Sequence, residues 1–407
     1  MRKSTLVELK LGLPIMPFIA LLALSASCDN RPSQSQPAEK RPVSTKLSAA
    51  TAPATAAADS GADWQHQPPA AETARPALSG SIAAAAPRAP TGTFIDRSAP
   101  GVLRVMTYNI MWNSIFPDVS EKGAARFARV LKAIDPDVLA LQEIGTNPQD
   151  RDKPNARRRG ADDVSELLAR VATLPGGMKW HIFEGGSNVI ASKYPLQLTR
   201  DATQPPAQRG LAMAYIELPR ELYAGDLYLV NSHHKCCGGA ENDGLRQQQS
   251  DGIVNWLRDA RNPGGWIELP PRSAMIVLGD FNIVGGQRPL NTLITGDIGD
   301  EKRYGPDSPP DWDDTSLADA HPLHNVAGPD DWTWRDDRSE FKPGRLDYII
   351  FSDSVLEIAK TFVLDTTLMS EADLKAAGLE KFDIAKDDVG RDFDHLPLIA
   401  DITFRMP

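Results

Sequence analysis

Eight residues of this chain have types and positions that suit joint chemistry: Asn109, Glu143, His233, Asp280, Asn282, Asp347, Asp394 and His395. Most fall where a short apolar run ends. Asn109 closes one run, Glu143 follows Val138–Leu141, His233 follows Leu227–Val230, and Asp280 with Asn282 follows Met275–Leu278. Asp394 and His395 stand just before the run Leu398–Phe404. Functional groups in α/β folds gather at strand ends. For any one of these residues a loop polar group is the simpler reading. A carboxylate, amide or imidazole at strand end after strand end is not explained that way. Oxygen donors with a few imidazoles are what a hard divalent cation and a phosphate group require.

The elements that must position these groups follow from hydrophobic period. Val102–Ile110 reads as a strand, and Glu121–Ile134 as a helix with Phe127, Val130, Leu131 and Ile134 on one face. Val138–Leu141 is a short strand. Asp162 and Asp163 open a second helix that presents Val164, Leu167, Leu168 and Val171, with acids at its N-terminus as the helix dipole favours. Strands recur at Asn188–Ala191, Leu211–Ile216, Leu227–Val230, Met275–Leu278, Leu346–Phe351 and Leu398–Phe404, and a helix is expected around Gln247–Arg258. Alternating strands and helices predict a single α/β domain.

Six segments carry a resemblance. Thr107-Tyr108-Asn109, Leu141-Gln142-Glu143, Asn231-Ser232-His233, Gly279-Asp280-Phe281-Asn282, Arg345-Leu346-Asp347-Tyr348 and Asp394-His395-Leu396-Pro397-Leu398 resemble, in order, the motifs of the endonuclease/exonuclease/phosphatase superfamily. That group includes deoxyribonucleases, abasic-site endonucleases, sphingomyelinases and inositol 5-phosphatases. The resemblance spans residues 101–405 and implies a four-layer sandwich, two packed β-sheets flanked by helices.

It also implies roles. Glu143 resembles the family's principal Mg²⁺ (or Mn²⁺) ligand, with Asn109 and Asp394 completing or flanking the metal site. Asp280 would deprotonate the attacking water, and Asn282 would donate to the developing phosphorane. His395 would contact or protonate a phosphate oxygen, its tautomer fixed by Asp347, while His233 resembles a second phosphate histidine. A carboxylate inside a strand, as Asp347 is expected to be, needs a partner, and His395 supplies one. His234 is expected at the rim.

The N-terminus points to export. Arg2, Lys3 and Lys10 precede an apolar stretch, Leu11–Leu24, too short and too broken by Pro14 and Pro17 for a comfortable membrane span. Ser25-Ala26-Ser27-Cys28 resembles a bacterial lipoprotein signal, although Ser25 departs from its aliphatic preference; plain signal-peptidase cleavage is the alternative. Residues 1–28 are thus expected to be a signal peptide with a lipidated cysteine. Residues 29–98, rich in Ala, Pro and Ser, are expected to form a disordered linker, and 99–407 the catalytic domain. A coil of ~70 residues reaches about 45 Å. The expected location is membrane-tethered, periplasmic or at the cell surface, and otherwise secreted.

Composition narrows the substrate. At a net charge of −10 the chain lacks the basic footprint of a protein that grips duplex nucleic acid by bulk electrostatics. A nuclease relying on its metal stays open. The basic run Arg151, Lys153, Arg157, Arg158 and Arg159 reads either as a solvated loop or as a clamp for substrate phosphates. Arg209-Gly210 reads as a surface turn, and Trp332 and Trp334 as core packing rather than base-stacking platforms. Hydrolysis of a phosphodiester such as nucleic acid leads. A lipid or inositol-phosphate phosphoesterase is the second reading, though the acidic insertion Gly296–Ala320 offers no apolar hairpin for a bilayer. A binding module on an inactive scaffold is the third, and retention of the whole residue set opposes it. No protein partner is implied.

Three cysteines, Cys28, Cys236 and Cys237, do not make a disulfide framework. The adjacent pair is read as a vicinal disulfide stiffening the loop that carries His233, or as two small apolar thiols.

Overall fold

The computed structural model describes residues 90–147, 150, 152–153, 156–202, 210–336, 340–384 and 394–405. The expected export segment, Cys28 and most of the expected linker lie outside these residues. Among the described residues, no helix is long and apolar enough to cross a membrane.

Twelve strands among the described residues form two sheets of six. One contains β1 (Leu103–Asn109), β2 (Val138–Gln142), β3 (His181–Gly185), β4 (Asn188–Ser192), β11 (Leu356–Val363) and β12 (Leu398–Phe404), in the order β11-β12-β1-β2-β4-β3. The other contains β5 (Leu196–Ala202), β6 (Leu211–Ile216), β7 (Leu227–His233), β8 (Ala274–Asp280), β9 (Ala318–Asp319) and β10 (Asp347–Phe351), in the order β5-β6-β7-β8-β10-β9. The helices are α1 (Glu121–Ile134), α2 (Ala161–Val171), α3 (Ala240–Arg261), α4 (Arg288–Thr295), α5 (Glu301–Tyr304) and α6 (Glu371–Ala377).

The two-residue period of the strands builds the layers. On β1, Leu103 and Val105 enter the core between the sheets while Met106 and Tyr108 face outward. On β8, Ala274, Ile276 and Leu278 enter that same core, whereas Met275 and Val277 face the opposite way. The outward face of the first sheet is covered by Phe127, Val130, Leu131 and Ile134 of α1 and by Val164, Leu167 and Leu168 of α2. The outward face of the second is covered by Ile253, Trp256 and Leu257 of α3 and by Leu290 and Leu293 of α4. Three cores separate four layers: helix, sheet, sheet, helix.

Two parallel pairs determine where the site lies. β1 and β2 are parallel and joined by α1; β7 and β8 are parallel and joined by α3. Both units deliver their C-terminal ends to one edge of the sandwich. Ser120 caps α1 by accepting from the Gly123 N–H at 2.8 Å, which sets where that crossover begins. Beneath this edge, polar side chains bolt the sheets together. Gln142 donates to Asn231 at 2.7 Å, and Asn231 donates to the Leu141 and Val189 carbonyls at 3.1 and 3.0 Å. The Asn231 amide, paired at both its oxygen and its nitrogen, fixes one register between the sheets.

The domain starts earlier than the sequence suggested. Residues 90–98 fall within the expected linker, yet Ile95 is buried in the outer core and Phe94 packs edge-on against Phe362. Arg97 donates to Asp137 at 2.6 Å. These three residues, with the Ser98 N–H donating to Asp401 and Lys360 to the Phe94 carbonyl, dock a segment whose composition reads as leash.

At the opposite end of β1 from Asn109, Arg104 and Asp401 form a buried pair with contacts of 2.6 and 2.9 Å. Arg104 also donates to the Ile95 and Ile134 carbonyls. Removing one partner leaves an uncompensated buried charge. Asp401→Ala should therefore lower unfolding stability by about 3–5 kcal/mol. Urea unfolding at constant slope checks this, and a loss below about 1 kcal/mol would contradict it.

Candidate active site

The edge to which β1, β2, β7 and β8 lead is built on unusual backbone. After Asn109, three consecutive non-glycine residues, Met111, Trp112 and Asn113, have φ of 46, 45 and 68°. Glu143 has φ of 67°. Left-handed residues of this kind cost on the order of 1–3 kcal/mol each and persist where surrounding structure holds them. The holding contacts are explicit. The Asn113 amide donates to the Gly145 carbonyl at 2.9 Å and accepts from its N–H at 3.1 Å. The turn thereby brings the Trp112 N–H to Glu143 Oε2 at 3.0 Å and the Met111 N–H to Asn109 Oδ1 at 3.1 Å. In β8, Gly279 has φ of 128°, and a Cβ there would meet the Ser232 carbonyl oxygen at 2.0 Å. The glycine before Asp280 is needed for the strands to approach.

Asp280 is the meeting point. Its Oδ2 accepts from Asn109 Nδ2 at 3.0 Å and lies 3.3 Å from His233 Nε2 and 3.7 Å from His395 Nε2. Its Oδ1 accepts from the Asn282 N–H at 2.9 Å. His233 Nε2 is in turn 3.9 Å from Glu143 Oε1, which links the two parallel units. Asp347 opens β10, directly opposite Asp280 in the antiparallel register, and its Oδ2 lies 2.7 Å from His395 Nδ1.

Burial lowers the His395 pKa, but the carboxylates of Asp347 and Asp280 outweigh it and push it up to about 10. The imidazolium is therefore the favoured form at neutral pH, with Nδ1–H donating to Asp347. Asp280, Asp347 and His395 can each offer an atom within 4.8 Å of the others, so a buried acidic and histidine cluster able to hold a metal is present.

Six of the eight expected residues are joined here by side-chain distances, and a seventh, Asn282, joins through its backbone N–H. The eighth, Asp394, is half-buried and accepts from the Trp334 indole N–H at 3.2 Å. That contact gives Trp334 a polar task the core-packing reading did not foresee. Trp332 packs edge-on against the buried His324, as expected of a packing residue.

Thr333, between the two tryptophans, was missed. It is fully buried, and its hydroxyl accepts from the Leu346 and Asp347 N–H groups at 3.0 and 2.9 Å. Its carbonyl accepts from the Leu396 N–H at 2.7 Å. It thus ties the Asp347 strand to the His395 loop. A single threonine in a loop carries no sequence signal of this.

His234 is not a rim residue. It is fully buried, stacks on Phe281 with centroids 5.0 Å apart, and burial lowers its pKa to about 3. The basic run is engaged with acids: Arg157 and Arg159 contact Asp163 at 2.7 Å, Arg159 also contacts Asp118, and Arg158 lies 2.9 Å from Glu184. Arg157 and Arg158 are exposed, as the solvated-loop reading expects, whereas Arg159 is buried between its acids. Arg151 and Arg209 lie outside the described residues. The acidic insertion is tied down by Asp251 of α3, which accepts from the Gly299 and Asp300 N–H groups at 2.8 and 3.0 Å.

Residues 106–368 match the model of the Endonuclease/Exonuclease/phosphatase family. The chain belongs to that family. Its members are metal-dependent phosphoesterases and nucleases, and the chain is an enzyme of that type with the family's hydrolase fold. No curated protein matches the sequence. Among solved structures, the human Nocturnin catalytic domain with bound sulfate is similar at 15% identity and a TM-score of 0.44, over 75% of this chain and 96% of that one. TDP2 from D. rerio complexed with single strand DNA product gives 15% and 0.45, over 74% and 98%. Beta toxin from Staphylococcus aureus gives 16% and 0.41, over 73% and 99%.

Proposed function

We propose that the enzyme hydrolyses phosphodiester bonds, with nucleic acid as the substrate class, using Mg²⁺ or Mn²⁺. The observation that carries this reading is the position of Asp280. A single carboxylate oxygen lies within 3.7 Å of an amide and two imidazoles drawn from two other strand ends and the loop before β12.

The donor set fits a hard cation. Beside His233, Glu143 is more exposed than Asp280, and one of its oxygens is already oriented by the Trp112 N–H. Glu143, Asn109 and Asp394 would hold the ion, and oxygen ligands of this kind suit a cation that keeps most of its waters. When bound, it neutralises charge on the phosphate oxygens and the leaving group. The remaining work falls to the chain. Asp280 Oδ2 takes a proton from the attacking water. Asn282 and His233 donate to the phosphate oxygens as negative charge develops there. His395 presents Nε2–H to a phosphate oxygen, and Asp347 holds the opposite ring nitrogen so that the ring cannot turn. The convergence of these groups speaks against a binding module on an inactive scaffold.

The whole chain with Mg²⁺, assayed against DNA, RNA, sphingomyelin, inositol phosphates and a chromogenic phosphodiester, tests the substrate class. Hydrolysis of nucleic acid and of the chromogenic diester is expected. Turnover of sphingomyelin or inositol phosphates without nucleic acid would replace this reading with the lipid or inositol-phosphate one.

The reading also places the enzyme outside the cytoplasm, tethered through a lipidated Cys28, on the strength of the basic and apolar pattern of residues 2–28. In a bacterial host the protein should enter the membrane fraction, and Cys28→Ala should release it or leave the signal uncleaved. A mature N-terminus other than Cys28 would rule out the anchor.

A further inference from the structure

Cys236 is a free thiol, so no vicinal disulfide stiffens the loop after His233. The loop between β9 and β10 has a brace of another kind, a second buried histidine–carboxylate pair. His324 is fully buried and bridges Val363 of β11, which pairs with Leu398 at the start of β12. Its Nε2 lies 2.7 Å from the Trp332 carbonyl oxygen, and its Nδ1 lies 3.3 Å from Asp365 Oδ2. A carbonyl oxygen only accepts, so Nε2 carries a proton. The carboxylate beside Nδ1 favours a proton there as well, which makes the ring an imidazolium. Burial pulls the His324 pKa down, but Asp365 and the Trp332 carbonyl outweigh it and raise it.

The anchor is itself held. Asp365 is buried, and its other oxygen accepts from the Thr367 N–H at 2.8 Å and from the Thr367 hydroxyl at 2.5 Å. Asn325, beside His324, donates to the Asp365 carbonyl at 2.8 Å and accepts from the Asp365 N–H at 2.9 Å. The His324 N–H donates to the Asp330 carbonyl at 2.8 Å, which closes the loop that returns to Trp332. The two rings then meet edge-on, with centroids 4.3 Å apart.

The Trp332 carbonyl opens the segment on which three site residues depend. Thr333 Oγ1 accepts from the Asp347 N–H, and the Thr333 carbonyl accepts from the Leu396 N–H, one residue past His395. The Trp334 indole donates to Asp394 Oδ2 at 3.2 Å, and the Arg335 N–H donates to the Asp394 carbonyl at 3.1 Å. Trp334 also forms an antiparallel bridge with His395.

We propose that His324 is a positioning residue for hydrolysis: anchored on Asp365, it holds the Trp332 carbonyl and thereby sets the segment that keeps Asp347, Asp394 and His395 in place. It acts through Trp332–Trp334 and not at the phosphate. A small misplacement of acting groups is enough to slow a reaction. The groups it places serve the charge that develops in the transition state, so its loss falls on kcat and not on KM.

This role rests on the phosphoesterase reading, and a readout that needs no turnover keeps the two apart. In the whole chain, His324→Phe keeps a flat ring and donates no hydrogen bond, whereas His324→Gln restores an amide N–H near the Nε2 position. Hydrolysis of the chromogenic diester gives kcat and KM. Solvent exchange of the Trp334 indole proton, assigned with Trp334→Phe, is followed by NMR. In His324→Phe, kcat should fall about three- to thirtyfold with KM within about twofold, the range for coupling through a contiguous network. The indole proton should exchange at least about fivefold faster, as local opening becomes easier. His324→Gln should recover most of both losses.

Wild-type kcat in a folded His324→Phe, or equal losses in His324→Phe and His324→Gln, would overturn the role. A lower kcat with unchanged indole exchange would overturn it too, because the effect would not pass through Trp334. Should His324→Phe fail to fold, the double variant His324→Phe/Asp365→Asn takes its place under the same outcomes, since it removes both buried charges together. A wild type without turnover would count against the phosphoesterase reading, with the indole exchange still judging the brace.

Discussion

Asp280→Asn is expected to lower turnover by at least ~10²-fold while leaving the fold intact, the scale for loss of one acid–base or electrostatic group. The substitution is nearly isosteric, and the contacts that it keeps and loses are specific. The Asn282 N–H can still donate to the retained amide oxygen, so that end of the site should stay in place. The oxygen that faces Asn109, His233 and His395 becomes an amide nitrogen or an uncharged oxygen, and neither can accept a proton from water. Glu143→Gln is expected to match it in size, because the charge lost there is the one offered to the cation. Near-wild-type turnover in either variant, with wild-type activity sensitive to chelator, would contradict the roles assigned to both. Thermal unfolding of each variant without metal separates a lost function from a lost fold.

The second large effect is one of pH. His395 is expected to act as imidazolium, so the rate should fall as pH rises through its pKa. Asp347 is the foremost cause raising that pKa, ahead of Asp280, and burial acts in the opposite direction. Asp347→Asn removes the charge and leaves the burial. The alkaline limb of the kcat profile should then move to lower pH, and the variant should lose at least ~10²-fold near pH 9 while losing less at lower pH. A bound cation repels the imidazolium, so in the metal-loaded enzyme the wild-type limb lies below 10, and the shift on substitution keeps its direction.

The same pair has a signature in stability. A histidine whose folded pKa is raised stabilises fully below its unfolded value near 6.5 and loses that contribution as pH climbs toward about 10. The stability gap between wild type and Asp347→Asn should therefore narrow over this interval. A kcat profile that keeps its alkaline limb in the variant would show that the titrating group is not His395.

Much of the site could be read from residue types because the strands that carry it are buried on both faces. Continuous apolar runs such as Leu227–Val230 and Met275–Leu278 mark a central strand, and a histidine or aspartate at the end of one stands out. Edge strands were harder. β11 alternates buried and exposed residues, carries Glu357 and Lys360, and shifts register between Ile358 and Lys360, so its period is broken. β3 and β9 are short or partly exposed for the same reason. Helix α3 runs from Ala240, well before the expected Gln247, because of Ala240–Arg246 only the polar Arg246 is buried, so no apolar face marks these turns.

The missed parts of the site share a physical cause. Trp112 acts through a backbone N–H, Thr333 through a hydroxyl on two backbone N–H groups, and Asn113 through an amide on Gly145. None of these is a residue type that announces chemistry. The partners of the basic run, Asp118 and Glu184, lie on separate segments on either side of it, and only the folded chain brings them to the arginines. His234 sits next to a functional histidine in sequence, but adjacent residues of an extended segment face opposite ways, and it turns toward Phe281.

The central claim is that water, activated at Asp280, attacks phosphorus in a metal-dependent step. Hydrolysis of a phosphodiester in water labelled with heavy oxygen tests it most directly, by mass analysis of both products. The account predicts the label in the phosphate product, at a rate abolished by chelator and restored by Mg²⁺ or Mn²⁺. Label in the alcohol product, or turnover that persists when the chelated enzyme is free of metal, would contradict it.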